Sequence, residues 1–224
     1  MTDPTDRRAE SARAPLVRAA AQQFAHKPYS LVNLDDVVAA VDVTRGAMYF
    51  HFPSKKALAT AVIAEADKLG REAAAGVLAN KLSGLETLID LSYLVAGMDI
   101  CEDLVRAGLY LFESIGRGEG IEARSLREIV GALAQIAQRG INEGDIVEGR
   151  DPEDIARLLV SMYIGVRRTS DLDNPQQFLL DIEKAWALLL PGFANPDRIS
   201  YLSQFIRRRA AVASGKVSSQ PDGA

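Results

Sequence analysis

The chain has 224 residues, 48% hydrophobic and 25% charged, a globular composition that supports a sizeable core and excludes a chain disordered throughout. Its formal net charge is −4, yet residues 1–60 hold eight Lys/Arg against six Asp/Glu, so the acidic excess lies beyond them and the total does not exclude a nucleic-acid partner. A single cysteine, Cys101, excludes an internal disulfide framework and a cysteine-based zinc site.

Ala and Leu dominate and runs of β-branched residues are few, which predicts an all-α fold. Residues 1–9 read as a loose arm. A first helix is expected over about residues 10–25, with Leu16, Ala19, Ala20 and Phe24 on one apolar stripe, and Lys27-Pro28 ends it. Asn33 caps a short second helix whose inner face is Leu34, Val37, Val38 and Val41, with Asp36 three residues on as a variant capping box. Thr44 caps a third helix reaching His51. Pro53-Ser54 then opens a longer helix over about 55–80, whose far half Gly70 and Gly76 weaken. Ser83 and Glu86 form a capping box for a helix over 84–100, and a further helix covers 103–115. Residues 116–120 read as a flexible, glycine-rich break before helical periodicity resumes over 122–143. Asp151-Pro152-Glu153-Asp154 and Asn174-Pro175-Gln176-Gln177 open helices that reach about residues 170 and 190. A last helix follows Asn195-Pro196, with Arg207-Arg208-Arg209 placed at its C-terminal end and a disordered tail over 214–224.

The segment between the second and third helices carries the functional reading. Only about three residues, Val41 to Val43, join two short amphipathic helices, which forces a steep crossing of the helix-turn-helix kind. In such a unit the second helix enters the major groove and its first residues reach base edges. Here that helix opens Thr44-Arg45-Gly46-Ala47. Gly46 and Ala47 keep the surface low, and Arg45 can fork onto a guanine edge or a phosphate. Tyr49 and His51 can donate to phosphates, Lys55 and Lys56 add positive charge, and Asn33 caps the preceding helix. Met48, Phe50 and Phe52 are expected to face inward and lock the helix.

Residues 16–58 resemble the DNA-binding domain of the tetracycline-repressor (TetR) family, on Leu16, Ala19-Ala20, Phe24, Tyr29, Leu34, Val37, Val43-Thr44, Gly46-Ala47, Tyr49, His51-Phe52, Lys55 and Leu58. Asn33 stands where Thr is usual, Pro28 replaces a usual Gly, and Asp42 stands where the turn usually has Gly; Asp tolerates left-handed geometry better than most residues. Leu104 to Leu111, Arg127-Glu128-Ile129 and Trp186 to Phe193 resemble the γ-butyrolactone receptor branch of that family. The resemblance implies a three-helix helix-turn-helix domain over 10–56 and a ligand-binding and dimerisation domain over 57–212, between tails 1–9 and 213–224. It implies a homodimer on double-stranded operator DNA, its interface built from Ile155, Leu158, Leu159, Met162 and Val166 of one late helix and Phe178, Ile182, Ala185 and Leu189 of the next. It also implies a small apolar effector in a cavity between the helices at 84–100, 103–115 and 122–143, walled by Tyr93, Met98, Leu104, Phe112, Leu126 and Trp186. That branch carries a tryptophan just before the Arg-Glu pair, and Leu126 in its place implies a different or larger apolar effector.

Other features have plainer readings. Arg207-Arg208-Arg209 is a solvated helix end or a second nucleic-acid contact. Trp186 is core, dimer interface or pocket wall. Glu102 and Asp103 beside Cys101 disfavour a reactive thiolate. Residues 116–120 lack the Gly-Lys-Ser/Thr of a phosphate loop. His26 is assigned to structure. Two histidines and no Ser/His/Asp arrangement predict no catalysis, no metal and no cofactor. A polar start without an apolar signal core, and no apolar run near the length of a bilayer span, predict a cytoplasmic protein that does not enter membranes. The competing class is a helical ligand-binding or protein-interaction module without direct DNA binding.

Overall fold

The computed structural model describes residues 4–116 and 121–218. The expectations for residues 117–120 of the glycine-rich break, and for residues 1–3 and 219–224 of the tails, lie outside the described residues. Among the described residues ten α-helices follow one another: α1 (Pro4–His26), α2 (Leu34–Ala39), α3 (Arg45–His51), α4 (Lys55–Leu78), α5 (Gly84–Cys101), α6 (Asp103–Ile115), α7 (Ile121–Asn142), α8 (Pro152–Thr169), α9 (Pro175–Leu189) and α10 (Ile199–Ser218). Among the described residues there is no strand, only an isolated antiparallel bridge between Ile146 and Ala194, and no helix is long and apolar enough to cross a membrane.

The expected caps close the helix starts. Asn33 accepts from the Asp35 amide at 3.1 Å and Thr44 from the Ala47 amide at 3.1 Å. Ser54 accepts from the Ala57 amide at 3.1 Å. Ser83 and Glu86 exchange both bonds of a capping box, the Ser83 amide to the Glu86 carboxylate at 2.8 Å and the Glu86 amide to Ser83 Oγ at 3.3 Å. Asp151 accepts from the Glu153 amide at 2.7 Å, and Asn174 from the Gln177 amide at 3.2 Å. Each satisfies amide donors that a helix start leaves unpaired.

Several boundaries differ from expectation. The first helix begins at Pro4, so residues 4–9 are helical and not a loose arm. The last helix runs on to Ser218 through an alanine-rich stretch, so Arg207, Arg208 and Arg209 sit in mid-helix and not at its end. Asp42 needs no left-handed tolerance, because no described residue other than glycine has a positive φ. The turn closes instead through the Val41 amide to Val38 O at 3.2 Å and the Val43 amide to Val41 O at 2.8 Å.

The chain divides into two compact units, residues 1–71 with 102–123 and residues 72–101 with 124–224. The expected boundary at residue 56 therefore falls inside the first unit, and α6 joins that unit although α5 precedes it in the chain. The core of the first unit runs from Leu16, Ala20 and Phe24 of α1 through Val37 and Met48 to Leu58 and Val62 of α4 and Leu111 of α6. Gly108 permits the α6 packing: a Cβ there would stand 2.3 Å from that of Ala66. On the rim, His26 Nε2 lies 3.1 Å from Asp103.

The core of the second unit joins Leu85, Ile89 and Tyr93 of α5 to Ile155 and Leu159 of α8, Phe178, Ile182 and Trp186 of α9, and Leu202 and Ile206 of α10. Gly84 lets α5 begin against α7, since a Cβ there would meet the Gly140 amide nitrogen at 2.3 Å. One ion pair is fully enclosed: Asp99 accepts from Arg167 Nε at 2.7 Å and from the Tyr163 hydroxyl at 3.2 Å. Asp145, also buried, accepts from Arg198 Nε at 2.7 Å and from the Ser83 hydroxyl.

Candidate nucleic-acid interface

The seven residues of α3 present two different faces. Met48 is fully buried and Phe52, just past the helix, is 3% exposed, with the Arg13 guanidinium 5.7 Å from its ring centroid. These two side chains hold α3 on α1 and α4. On the outward face stand Thr44, Arg45, Gly46, Tyr49 and Phe50, all exposed. Around Gly46 the surface is open, with Thr44 Oγ1 the only heavy atom a Cβ would approach, at 3.9 Å. Ala47 is half-buried, so α3 offers a low front edge flanked by an arginine and a tyrosine.

Phe50 corrects the expectation that it faces inward: it is 77% exposed. The reason is helical geometry. At 3.6 residues per turn, two residues advance about 200°, which puts Phe50 opposite Met48. The alternation Met48, Phe50, Phe52 suits a strand and misleads on a helix. Phe50 thus joins the exposed face as a residue missed in the sequence, although the helical wheel carried the signal.

Other expected contact residues have mixed surroundings. Arg45 reaches back to α2, with Nη2 2.9 Å from Asp35 Oδ1. Both side chains are largely exposed, and such pairs contribute about 0–1 kcal/mol, so a phosphate can compete for the guanidinium. His51 is half-buried, with its ring edge-on to Phe50 at 5.3 Å. Asn33 is exposed and committed to its cap. Lys56 is exposed at the start of α4. Lys55 departs most from its expected role. Its ammonium donates to the Val32 carbonyl at 2.8 Å and the Ser30 carbonyl at 3.2 Å, and lies 4.7 Å from the Tyr29 ring centroid. It clamps the turn that leads into α2, with two of its three donors engaged inside the protein.

The six expected wall residues are divided between the two units. Leu104 and Phe112 belong to the first unit, where Leu104 packs against the core. Tyr93, Met98, Leu126 and Trp186 belong to the second. Trp186 is fully buried and its indole N–H donates to Ser92 Oγ at 2.8 Å, which makes it a satisfied core residue. Met98 and Leu126 are half-buried. Tyr93 is 4% exposed, and its hydroxyl has no hydrogen-bond partner among the described residues. Burial, reinforced by the Glu183 charge, holds its ionisation far above the ordinary tyrosine range, so it stays a neutral donor.

The expected dimer residues also require correction. Ile155, Leu159, Phe178 and Ile182 lie in the core of the second unit, with Met162, Val166 and Leu189 packed partly against it. Ala185 is half-buried. Of the expected set only Leu158 is exposed, at 42%; the other exposed leucines of α8 and α9 are Leu180 and Leu188, the latter at 83%. An apolar stripe at helical spacing reads alike whether the same chain or a second copy covers it.

Residues 16–62 match the family model of bacterial regulatory proteins of the tetR family. The chain is 26% identical over 189 residues to the A-factor receptor protein of Streptomyces griseus, a match covering 84% of this chain and 65% of that protein's length. Among solved structures it is similar to a gamma-butyrolactone receptor described as ArpA-like, with TM-score 0.75, 25% identity, and 92% of this chain and 99% of that one covered. It is also similar to the TetR family protein CprB from S. coelicolor A3(2), with TM-score 0.76, 25% identity, and 91% and 98% of the two chains covered.

Proposed function

We propose that this chain, whose residues 16–62 match the family model of bacterial regulatory proteins of the tetR family, is a ligand-responsive transcriptional repressor that binds a palindromic operator as a homodimer. The observation that carries this reading is the exposed face of α3, where Thr44, Arg45, Gly46, Tyr49 and Phe50 stand together while Met48 and Phe52 anchor the opposite side. In the major groove Arg45 forks onto a guanine edge or a phosphate, the Tyr49 hydroxyl donates to a phosphate, and Phe50 packs on a thymine methyl. Gly46 lets the backbone come close. The exposed Leu158, Leu180 and Leu188 are large apolar side chains of α8 and α9 left for a second copy. Two copies place two reading helices on half-sites one helical turn apart.

The effector is a small apolar molecule of the γ-butyrolactone kind. The likeness to an A-factor receptor and a gamma-butyrolactone receptor supports that class. So does Tyr93, whose buried hydroxyl lacks an acceptor among the described residues and would donate to a lactone carbonyl. An effector releases DNA only through higher affinity for the state that does not bind the operator.

Selection of duplexes from a randomised library by the purified full chain tests the reading. The expected product is an inverted repeat with half-sites roughly 10 base pairs apart, released on addition of a γ-butyrolactone. Enrichment of no sequence contradicts the DNA reading, a single half-site contradicts the dimer, and retention in the presence of every γ-butyrolactone tried contradicts the effector class.

A further inference from the structure

Two arginines of the triplet in the middle of α10, Arg208 and Arg209, border a cavity of about 530 Å3 within the second unit, against the segment that leads into α5. That volume falls in the range of roughly 300–1,000 Å3 typical of small-molecule sites. Its walls divide by chemistry. Leu82, Phe205 and Val212 are apolar, and the half-exposed Tyr201 adds a second ring. Lys81, Arg208 and Arg209 supply positive charge.

The charges are held differently. Arg209 is tied to Asp90 through Nη2 at 2.9 Å and lies 5.0 Å from the Phe205 ring centroid, while its Nε has no acceptor among the described residues. Arg208 lies 5.9 Å from the centroids of both Tyr201 and Phe205, and among the described residues neither it nor Lys81 has an acidic partner. Glu86 is the one carboxylate in the lining. It accepts from the Tyr201 hydroxyl and the Ser83 amide and keeps its negative charge, so one carboxylate faces three cations and the lining stays positive.

We infer that this cavity is a ligand site for an organic anion with a flat apolar body, an aryl carboxylate in class. Its ring would lie against the exposed Tyr201 and Val212 beside Leu82, and its carboxylate would bond Arg208 and Lys81. Cations already arrayed over aromatic faces keep their attraction for an anion while presenting an apolar surface beside it. A bare inorganic ion would satisfy the charges and leave the exposed Tyr201 and Val212 uncovered. An uncharged ring would do the reverse. The site is distinct from the α3 face and from the Tyr93 region, and its existence does not depend on either.

Calorimetric titration of the full chain with 1-naphthoate, 1-naphthalenemethanol and acetate tests the assignment. Naphthoate should bind about tenfold or more tightly than the alcohol, the equivalent of one charge-assisted contact, and acetate should not saturate. Arg208→Ala and Lys81→Ala should each weaken naphthoate several-fold with an unchanged thermal melt. No naphthoate binding, equal affinity for the alcohol, or equal affinity for acetate overturns the proposal. So does naphthoate affinity that survives Lys81→Ala and Arg208→Ala. If Arg208→Ala lowers affinity for the selected operator in the absence of naphthoate, the residue is a phosphate contact and the assignment is likewise overturned.

Discussion

Truncating Phe50 and Met48 separately should weaken recognition by different routes, only the second through lost stability. Phe50 is 77% exposed. Full burial of such a side chain is worth about 1.5–3 kcal/mol, so the quarter or so covered here contributes about 0.5 kcal/mol, and Phe50→Ala should leave the urea midpoint almost unchanged. Met48 is fully buried between α3 and the rest of the first unit. Met48→Ala removes its packing and leaves a cavity, for a loss of about 2–5 kcal/mol. Urea unfolding followed by circular dichroism reads the first quantity, and gel-shift titration on the selected operator reads the second. Phe50→Ala is expected to bind several-fold more weakly while folding normally, and Met48→Ala to lose binding together with stability. If Phe50→Ala destabilises the protein as much as Met48→Ala does, the rotation of α3 is wrong and its outward face is not the one assigned.

Asp99→Asn should be among the most damaging polar substitutions. It strips the charge from a buried carboxylate 2.7 Å from the enclosed Arg167, at a cost of about 3–5 kcal/mol, whereas Asp99→Leu combined with Arg167→Met should recover much of that stability in the same unfolding assay. Gly84→Ala drives a methyl into the Gly140 backbone at 2.3 Å and should lower stability by about 1–3 kcal/mol or more, read as a reduced melting temperature. Glu86 gives a pH test. Burial alone would raise its pKa, but hydrogen bonds from Tyr201 and Ser83 outweigh it and hold the carboxyl below its ordinary 4.5. A lowered folded pKa contributes stability that is present above the unfolded value and is lost as pH falls through the folded one. Glu86→Gln should therefore flatten the loss of stability below pH 4.5, and an unchanged acid limb would contradict this assignment.

The parts of the fold readable from sequence are those decided within a few residues. Asn33, Thr44, Ser83 with Glu86, Asp151 and Asn174 all cap the helices they were expected to open, because a cap depends on a side chain and an amide two or three positions away. The α1 stripe of Leu16, Ala20 and Phe24 was equally plain. What escaped depends on distant partners. Lys55 looked like a phosphate contact because its neighbours are basic, yet its ammonium binds carbonyls at Ser30 and Val32, more than twenty positions earlier. Ile155, Leu159, Phe178 and Ile182 looked like an interface because helical spacing marks an apolar face without naming what covers it. The inclusion of α6 in the first unit rests on its packing against α1, with Gly108 fitted beside Ala66, contacts between residues far apart in the chain that no local pattern announces. Phe50 is a different kind of error, since the helical wheel contained the answer.

The central claim is that the exposed face of α3 grips DNA directly. Its most direct test is fluorescence anisotropy of the full chain on its selected operator duplex across a salt series, for the wild type, Arg45→Ala and Tyr49→Ala. Direct binding predicts that log affinity falls steeply and linearly with log salt, that both variants bind more weakly at every salt concentration without altered stability, and that loss of an Arg45–phosphate contact lowers the slope by about one. An affinity insensitive to salt, or variants indistinguishable from the wild type, would contradict it.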